Sequence, residues 1–227
     1  MAYERYGRFQ FLDLREFFPP SISAFFIAGK TESLSICDIS GFLKDMGSPA
    51  DIVHKPRQIH SNIIIENCRD CECDGVFTKN RREAITIAVA DCVPILISAD
   101  HGKVLIALHS GWKGTLGKIA ERTGSLFDPQ CFDRVWIGPS IRKCCYKVGG
   151  ERIKAFRKTF PESPAIDEKE KSLGLPAINA EMFLEMGVPR EKMFIDGRCT
   201  CCSDEPFASY RRDGEKAGRM VLAAVRK

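Results

Sequence analysis

Short apolar runs separated by polar turns dominate the chain. Runs rich in β-branched residues predict strands at residues 63–65, 85–89, 104–108 and 134–137, and a weaker run predicts a fifth strand at 193–195. Apolar side chains recur at helical spacing over residues 115–127, 151–160, 176–186 and 214–225, which predicts helices there. Because strands and helices are mixed along the chain, we expect an α/β or α+β layered sandwich.

Length and composition favour one globular unit. The 227 residues are long enough to bury a substantial core. Apolar residues make up 44% and charged residues 28%, which excludes the disordered and fibrous classes. Two polar loops, at residues 66–75 and 161–172, are too short to be convincing domain linkers. We therefore predict a single domain spanning residues 1–227.

The charge and the apolar runs restrict the possible partners. The longest apolar runs, such as residues 85–90, are far shorter than the ~20 residues that cross a bilayer. The first eight residues are polar, so we expect no membrane span, no secretory signal and a cytoplasmic location. A net charge of +4 suits a small anionic ligand but does not indicate nucleic-acid binding.

Cysteine is unusually abundant. The chain has 11 cysteines and 4 histidines, and an odd number of cysteines does not favour a complete disulfide framework. In a reducing compartment, cysteines point to metal binding or catalysis instead. They cluster at Cys68, Cys71 and Cys73, at Cys144 and Cys145, and at Cys199, Cys201 and Cys202. We interpret the first cluster as a reduced polar loop and the other two mainly as packing residues.

Three short motifs at predicted strand ends carry candidate chemistry. They contain His60, Cys92 and His109. Two imidazoles and one thiolate are a sensible set of three protein ligands for zinc, with the fourth position open to water or substrate. Such an ion lowers the pKa of water to ~7. The spacings match no local zinc signature, however, and a hydrogen-bonded histidine and a buried cysteine are equally ordinary core residues. From the residues alone, an ordinary core role is favoured over a metal site, because one sequence does not show which side chains are adjacent in space.

The motifs together resemble a known family, the multicopper polyphenol oxidase-like (laccase-domain) proteins, which also carry names such as purine nucleoside phosphorylase and peptidoglycan editing factor. The resemblance covers residues 56–227, whereas residues 1–55 diverge and residues 30–35 stand where the family has a glycine-rich stretch. The motifs that carry it are Gln58-Ile59-His60, Asp74-Gly75-Val76, Ala90-Asp91-Cys92-Val93-Pro94, His109-Ser110-Gly111-Trp112-Lys113-Gly114, Ile137-Gly138-Pro139-Ser140-Ile141, Cys145-Tyr146-Lys147-Val148-Gly149 and Ser209-Tyr210-Arg211-Arg212-Asp213.

The resemblance implies a fold, a metal site and an activity. The fold would be α+β, with mixed sheets flanked by helices as in the catalytic domain of cytotoxic necrotizing factors. His60, Cys92 and His109 would bind Zn²⁺, with copper less favoured. The substrates would be purine nucleosides and phosphate: phosphorolysis of adenosine, inosine, guanosine or methylthioadenosine, and deamination of adenosine.

Other residues of these motifs receive expected roles. Lys113, Arg211 and Arg212 are candidates to hold phosphate and substrate, although each could be an ordinary solvated charge. Asp91 could orient a metal ligand as a hydrogen-bond acceptor, or simply form a turn. Trp112 and Tyr146 could stack on a purine or pack in the core.

Three other functions remain open. Cys92 as nucleophile with His109 as base would suit amide hydrolysis in a peptidoglycan-editing role. Copper-dependent polyphenol oxidation is disfavoured, since four histidines are too few for a blue-copper centre and a trinuclear cluster. A non-enzymatic, cysteine-rich metal binder would bind metal most strongly at residues 68–73.

Overall fold

A computed structural model describes residues 2–31 and 34–227. The strands are β1 (Tyr3–Tyr6), β2 (Phe9–Asp13), β3 (Ile22–Thr31), β4 (Ile52–His54), β5 (Ile64–Glu66), β6 (Gly75–Thr78), β7 (Glu83–Val89), β8 (Val93–Ala99), β9 (Val104–Ser110), β10 (Phe132–Ile137), β11 (Ile166–Asp167), β12 (Ser172–Leu173), β13 (Met193–Ile195) and β14 (Arg219–Arg226). The α-helices are α1 (Ile36–Asp45), α2 (Trp112–Leu116), α3 (Ile119–Arg122), α4 (Gly150–Thr159), α5 (Leu175–Glu185) and α6 (Tyr210–Asp213).

Two mixed six-stranded sheets form the centre of the described structure. The first has the order β1-β2-β3-β14-β7-β4 and the second the order β13-β10-β8-β9-β6-β5. Most neighbours are antiparallel, and the parallel pairs β4–β7, β10–β13 and β5–β6 lie at sheet edges. This confirms the expected α+β class with mixed sheets.

Three apolar clusters make the molecule a four-layer sandwich. One cluster lies between the sheets and joins residues such as Phe26 and Leu222 of the first sheet to Leu96 and Trp136 of the second. A second cluster packs α3, α4 and α5 onto the outer face of the second sheet. The third packs α1 onto the outer face of the first sheet. Helices therefore flank both sheets, as expected.

The predicted strands are confirmed, but two predicted helices need correction. The prediction of a helix over residues 214–225 is wrong, because β14 occupies most of this segment, between β3 and β7. A central strand that is covered on both faces is apolar at nearly every position. The helical spacing of Met220, Val221 and Ala224 was therefore a coincidence within a continuous apolar run.

The helix predicted over residues 115–127 is interrupted. α2 ends at Leu116, and Lys118 has a left-handed backbone with φ of 58°, which a continuous α-helix does not permit. α3 and a turn of 3-10 helix follow, so the segment wraps over the sheet in short pieces. The helices predicted over 151–160 and 176–186 are confirmed as α4 and α5.

The path of the chain places the candidate residues at one end of the sandwich. The turn between β7 and β8 passes from the first sheet to the second, and it carries Asp91 and Cys92. His109 lies near the end of β9, which pairs with β8. Within residues 2–31 and 34–227, no helix is long and apolar enough to cross a membrane. In the diverging amino-terminal region, Glu32 and Ser33 lie outside the described residues, so the stretch at 30–35 is not assessed as a whole.

The strand assignment of β14 can be tested by truncating Leu222. This side chain is fully buried between the sheets, whereas a helix over 214–225 would place it outside the apolar face formed by Met220, Val221 and Ala224. We expect Leu222→Ala to lower the free energy of unfolding by ~2–5 kcal/mol in urea titrations. Leu184→Ala on α5, where Leu184 is 45% exposed, is the matched control and should change it little. Equal effects of the two substitutions would contradict the assignment.

Candidate active site

Three chain segments bring His60, Cys92 and His109 together. His60 lies in the loop after β4, Cys92 in the turn between the sheets and His109 on β9. Their ligand atoms, two imidazole nitrogens and one sulfur, all lie within 4.8 Å of one another. The two imidazole rings meet edge to face with centroids 4.8 Å apart. Residues separated by 32 and 17 positions in the sequence thus form one cluster of metal-ligating side chains.

A buried carboxylate fixes the orientation of His109. Asp74, which precedes β6 and is inaccessible to solvent, lies 2.7 Å from Nδ1 of His109. Burial raises the pKa of Asp74, but hydrogen bonds from His109 and Ser61 outweigh this and lower the pKa to about 2. An ionised Asp74 keeps the proton of His109 on Nδ1, and Nε2 is then the nitrogen left to bind a metal.

The same carboxylate also holds the loop that carries His60. The backbone N–H groups of Ile59, His60 and Ser61 donate to Asp74 at 3.2, 3.0 and 2.5 Å, and the Ser61 hydroxyl donates at 2.7 Å. These bonds hold His60 in a left-handed backbone conformation with φ of 61°. Such strain in a residue that is not glycine persists where the surrounding structure imposes it, often at functional sites.

Asp74 had no assigned role in the sequence-based predictions. It belongs to the Asp74-Gly75-Val76 motif, but an aspartate before an apolar strand is also typical of a plain turn. The signal that could have singled it out is that a metal-binding histidine commonly donates its second nitrogen to a carboxylate. The sequence cannot show that this carboxylate lies 35 positions before His109.

The electrostatics of the cluster favour a thiolate at Cys92. Burial raises the pKa of this thiol, but the charge of His109 and hydrogen bonds from both histidines lower it to about 6. Burial lowers the pKa of His109, while the Cys92 thiolate and Asp74 raise it to about 9. Each partner therefore stabilises the charged form of the other.

Space at the cluster is tight on the side of Gly111. A Cβ atom there would lie 2.9 Å from Sγ of Cys92 and 3.1 Å from Cδ2 of His60. Glycine is therefore required next to the donor atoms. The set of donors, two histidine nitrogens and one thiolate, fits a metal ion that prefers nitrogen and sulfur ligands and keeps one position open.

The cluster lies in a cleft of about 1020 Å³. A volume of this size accommodates a drug-sized or nucleoside-sized ligand. The wall combines apolar and aromatic side chains with several cations and the carboxylates of Asp91 and Glu215. The lining residues include His60, Asp91, Cys92, His109, Trp112, Tyr146, Ile141, Leu175, Arg211, Lys216 and Arg219.

Four of the other predicted site residues line this cleft. Trp112 is half-buried and carries the Arg152 guanidinium 4.1 Å from the centroid of its ring. Tyr146 has the guanidinium of Arg211 5.3 Å from its ring centroid. The Asp91 carboxylate accepts hydrogen bonds from the Thr200 hydroxyl at 2.5 Å and from the backbone N–H of Arg211 at 2.6 Å. Asp91 thus holds the cleft wall, and these contacts do not involve a metal ligand.

The structure places Lys113 and Arg212 outside the wall of the cleft. Arg212 donates hydrogen bonds to the carbonyl oxygens of Thr200 and Phe207 and pairs with the carboxylate of Asp213. Lys113 is exposed, with its Nζ 5.7 Å from the centroid of the Trp112 ring. These contacts suggest that Arg212 stabilises the loop of residues 200–213 and give no support to a phosphate site at these two residues.

Three residues of the cleft were missed by sequence reasoning. The Gln58 amide donates to the Ala88 carbonyl at 2.7 Å and accepts from the Ala88 N–H at 2.8 Å, which ties the His60 loop to β7. Lys216 and Arg219 add positive charge to the cleft wall. The predicted helix over 214–225 concealed both cations, because it gave this segment the wrong geometry.

Comparison with known proteins identifies the family. The family model described as "Multi-copper polyphenol oxidoreductase laccase" matches residues 39–227. The chain is 31% identical over 194 residues to a protein named purine nucleoside phosphorylase from Clostridium acetobutylicum, covering 82% of this chain and 81% of the relative. The chain belongs to this laccase family. The resemblance inferred from the motifs is thereby confirmed.

Other members of the laccase family carry two kinds of name. The chain is 33% identical over 164 residues to purine nucleoside phosphorylase YlmD of Geobacillus stearothermophilus, covering 68% of this chain and 60% of that protein, which is less than two thirds of its length. It is 29% identical over 207 residues to "Adenosine deaminase RL5" from an unknown prokaryotic organism, covering 80% and 78%. The crystal structure of YlmD from G. stearothermophilus has the same fold, with a TM-score of 0.86, 24% identity and coverage of 99% and 98%.

The role of Asp74 can be tested with Asp74→Asn. The variant keeps the shape of the side chain but removes the charge that fixes His109. We expect its metal affinity to fall ~10–100-fold, measured by competition with a chromogenic chelator. Asp70→Asn is the control, because Asp70 is an exposed carboxylate of the same loop. Equal metal affinity in wild type and Asp74→Asn would contradict the role.

Proposed function

We propose that the protein is a zinc-dependent purine nucleoside enzyme that performs phosphorolysis of nucleosides and deamination of adenosine. The observation that carries the proposal is the cluster of His60, Cys92 and His109 at a cleft of about 1020 Å³. The names of relatives in the laccase family, purine nucleoside phosphorylase and adenosine deaminase, support the same substrates.

Zinc is the metal that we assign to the three donors. Two imidazoles and one thiolate form a common set for catalytic zinc, and the thiolate neutralises part of the ionic charge. When bound there, zinc supplies Lewis acidity and lowers the pKa of a water molecule to ~7. Because the site depends on the free thiol of Cys92, and nine of the eleven cysteines are free, we also infer a cytoplasmic location.

The residues of the chain position the reactants around this centre. Asp74 orients His109 and the His60 loop, so two of the three donors are preorganised before substrate binds. Trp112, Tyr146 and Ile141 offer an apolar and aromatic surface on which a purine base can lie. The Tyr146 hydroxyl and the indole N–H of Trp112 are polar groups that suit hydrogen bonding to a nucleoside.

The cations of the cleft wall are the proposed phosphate site. Arg211 lines the cleft, and its backbone N–H donates to Asp91. Its guanidinium lies near the Tyr146 ring and donates to the carbonyl oxygens of Cys145 and Lys147 at 2.8 and 3.2 Å, so what distinguishes it from Arg212 is its place in the cleft wall. Lys216 and Arg219 line the same cleft. Phosphorolysis requires a phosphate beside the ribose carbon, and cations at that position stabilise the developing charge. The proposal thus moves the phosphate role from Lys113 and Arg212 to Arg211 and its neighbours.

Incubation with nucleosides tests the activity. Adenosine, inosine, guanosine and methylthioadenosine are each incubated with and without phosphate, and the bases and ammonia released are quantified. We expect free bases only with phosphate, and ammonia from adenosine in either case. Cys92→Ala should abolish both activities while circular dichroism shows a folded protein, because it removes one of three metal ligands.

Cys131→Ala is the matched control for the loss of a thiol. Cys131 is an exposed free cysteine in a turn before β10, so its substitution should leave both activities unchanged. Unchanged nucleoside turnover by a folded Cys92→Ala protein would refute the metal-site mechanism. Absence of base and ammonia with every nucleoside in the zinc-loaded wild type would refute the substrate assignment.

The phosphate site is tested by comparing Arg211→Ala with Lys113→Ala. Loss of a charge-assisted contact worth ~1.5–3 kcal/mol should raise the KM for phosphate ~10–100-fold in Arg211→Ala. Deamination uses water, so it should change less. Lys113→Ala should keep the wild-type KM for phosphate, because Lys113 lies outside the wall of the cleft. A raised phosphate KM in Lys113→Ala alone would restore the assignment made from the sequence.

A second candidate function is amide hydrolysis by Cys92. The contacts from Cys92 to His109 and from His109 to Asp74 match a nucleophile, a base and an orienting carboxylate. This reaction would proceed without metal, so it predicts a covalent acyl adduct on Cys92 in chelator-treated protein. Detection of that adduct by mass spectrometry, together with no nucleoside turnover, would favour the hydrolase.

A further inference from the structure

Four cysteines outside the candidate active site meet at one point of the fold. Cys144 and Cys145 come from the loop after β10, and Cys199 and Cys202 come from the loop after β13. Their sulfur atoms all lie within 4.8 Å of one another, although the two loops are more than 50 residues apart in the sequence. Our expectation that these cysteines serve mainly as packing residues does not explain why four thiols converge.

We propose that Cys144, Cys145, Cys199 and Cys202 form a structural metal site that binds one zinc ion. Four thiolates at a tetrahedral zinc with Zn–S of ~2.3 Å would be ~3.8 Å apart. The Sγ atoms of Cys144 and Cys202 are 3.7 Å apart, which matches one edge of such a tetrahedron. Binding converts thiols to thiolates and releases their protons to solvent, so it requires no oxidant.

A backbone hydrogen bond prepares Cys199 to act as a ligand. Its sulfur accepts the N–H of Arg142 at 3.5 Å. This bond joins the loop after β10 to the sulfur of the loop after β13. Donors directed at a sulfur stabilise its thiolate form and orient it toward a metal.

The surroundings favour a negatively charged centre. A zinc ion with four thiolates carries a net charge of −2, and this centre would lie in a second cavity of about 540 Å³. Arg142, Lys143 and Arg198 line that cavity together with three of the cysteines. Their positive charge offsets that of the centre, even though Arg198 also pairs with Asp196.

The third cysteine cluster is a weaker candidate. The expectation that this loop is reduced is wrong, because Cys68 and Cys71 are joined as a disulfide and Cys73 is the one free thiol of that cluster. The notion of a metal binder centred on residues 68–73 therefore receives less support than a site at the four converging cysteines.

The proposed metal would stabilise one wall of the cleft. Tyr146, which lines the cleft, follows Cys145 directly, and Thr200, which follows Cys199, donates to Asp91. A bridge between Ser140 and Cys199 already joins the two loops. A zinc ion would add a cross-link to the hydrogen bonds that already join these segments, and it is separate from the ion at His60, Cys92 and His109.

Metal content in a His60→Ala/His109→Ala variant tests the proposal without relying on catalysis. The variant removes two ligands of the other site. The variant and the wild type are both purified with reductant, incubated with two equivalents of zinc per chain and freed of unbound metal. We expect about one zinc ion per chain by elemental analysis and about two in wild type. X-ray absorption of the variant should show four sulfur neighbours at ~2.3 Å. Zinc with nitrogen or oxygen neighbours, or no zinc, would overturn the proposal.

Cysteine substitutions in the same double-histidine background locate the ion. Cys144→Ser/Cys202→Ser should lose the remaining zinc, whereas Cys201→Ser, which removes the neighbouring thiol outside the cluster, should keep it. Cys71→Ser should also keep it. Loss of zinc on Cys71→Ser alone would place the ion at residues 68–73 and overturn the proposal. If the double serine variant does not fold, the X-ray absorption result decides.

A redox role of the four cysteines is the alternative to metal binding. If the cysteines serve as a redox pair, peptide mass mapping of the protein purified without reductant will show a disulfide between Cys144 and Cys202, and zinc will not bind even after reduction. That combination would overturn the metal site. Protection of the four thiols from alkylation by zinc, with a higher Tm in its presence, would support it.

Discussion

The buried carboxylate of Asp74 is the contact on which the geometry of the candidate active site depends. It receives the His109 imidazole on one side and the loop of residues 59–61 on the other. A buried charge is tolerated only where such partners compensate for lost hydration, and breaking a buried pair costs ~3–5 kcal/mol. One side chain thus couples the stability of this part of the fold to the orientation of two of the three metal ligands.

The two sheets bring Cys92 next to the histidines that Asp74 orients. β9 places His109 beside the crossover between the two sheets, and the crossover brings Cys92 to the same end of the sandwich. Positive φ angles at His60 and Asp91 mark where the chain turns to reach the centre. Because both sheets are covered by helices, the cleft at this end has rigid walls, and preorganised donors are what a catalytic metal requires.

The sequence predicted four strands of the second sheet, β5, β9, β10 and β13, but only β7 of the first sheet, and it missed helix α1. Runs such as residues 104–108 revealed strands because they combine β-branched and apolar residues, and the family motifs brought the three ligands together. β8 was missed because Pro94 argues against an internal strand, although here it pairs with His109 near the strand's end. β14 was mistaken for a helix because a strand buried on both faces loses its alternation.

The features of the candidate sites that the sequence did not predict also depend on contacts between distant residues. Asp74 and the converging cysteines act through contacts between residues far apart in the chain, and spacing along one sequence does not reveal such contacts. Lys113 was chosen because it follows His109 by four residues, and Arg212 because it belongs to a motif shared with the family. The direction of a side chain depends on the backbone, and the structure turns Arg212 toward the carbonyl oxygens of its own loop.

Anomalous diffraction at the zinc absorption edge tests the central claim most directly. Crystals of the zinc-loaded protein should show a peak between His60, Cys92 and His109, with ring nitrogens at ~2.0–2.1 Å and Sγ at ~2.3 Å. The same map should show Nδ1 of His109 still bonded to Asp74. A well-ordered structure in which zinc binds elsewhere, while these three side chains point apart, would contradict the account.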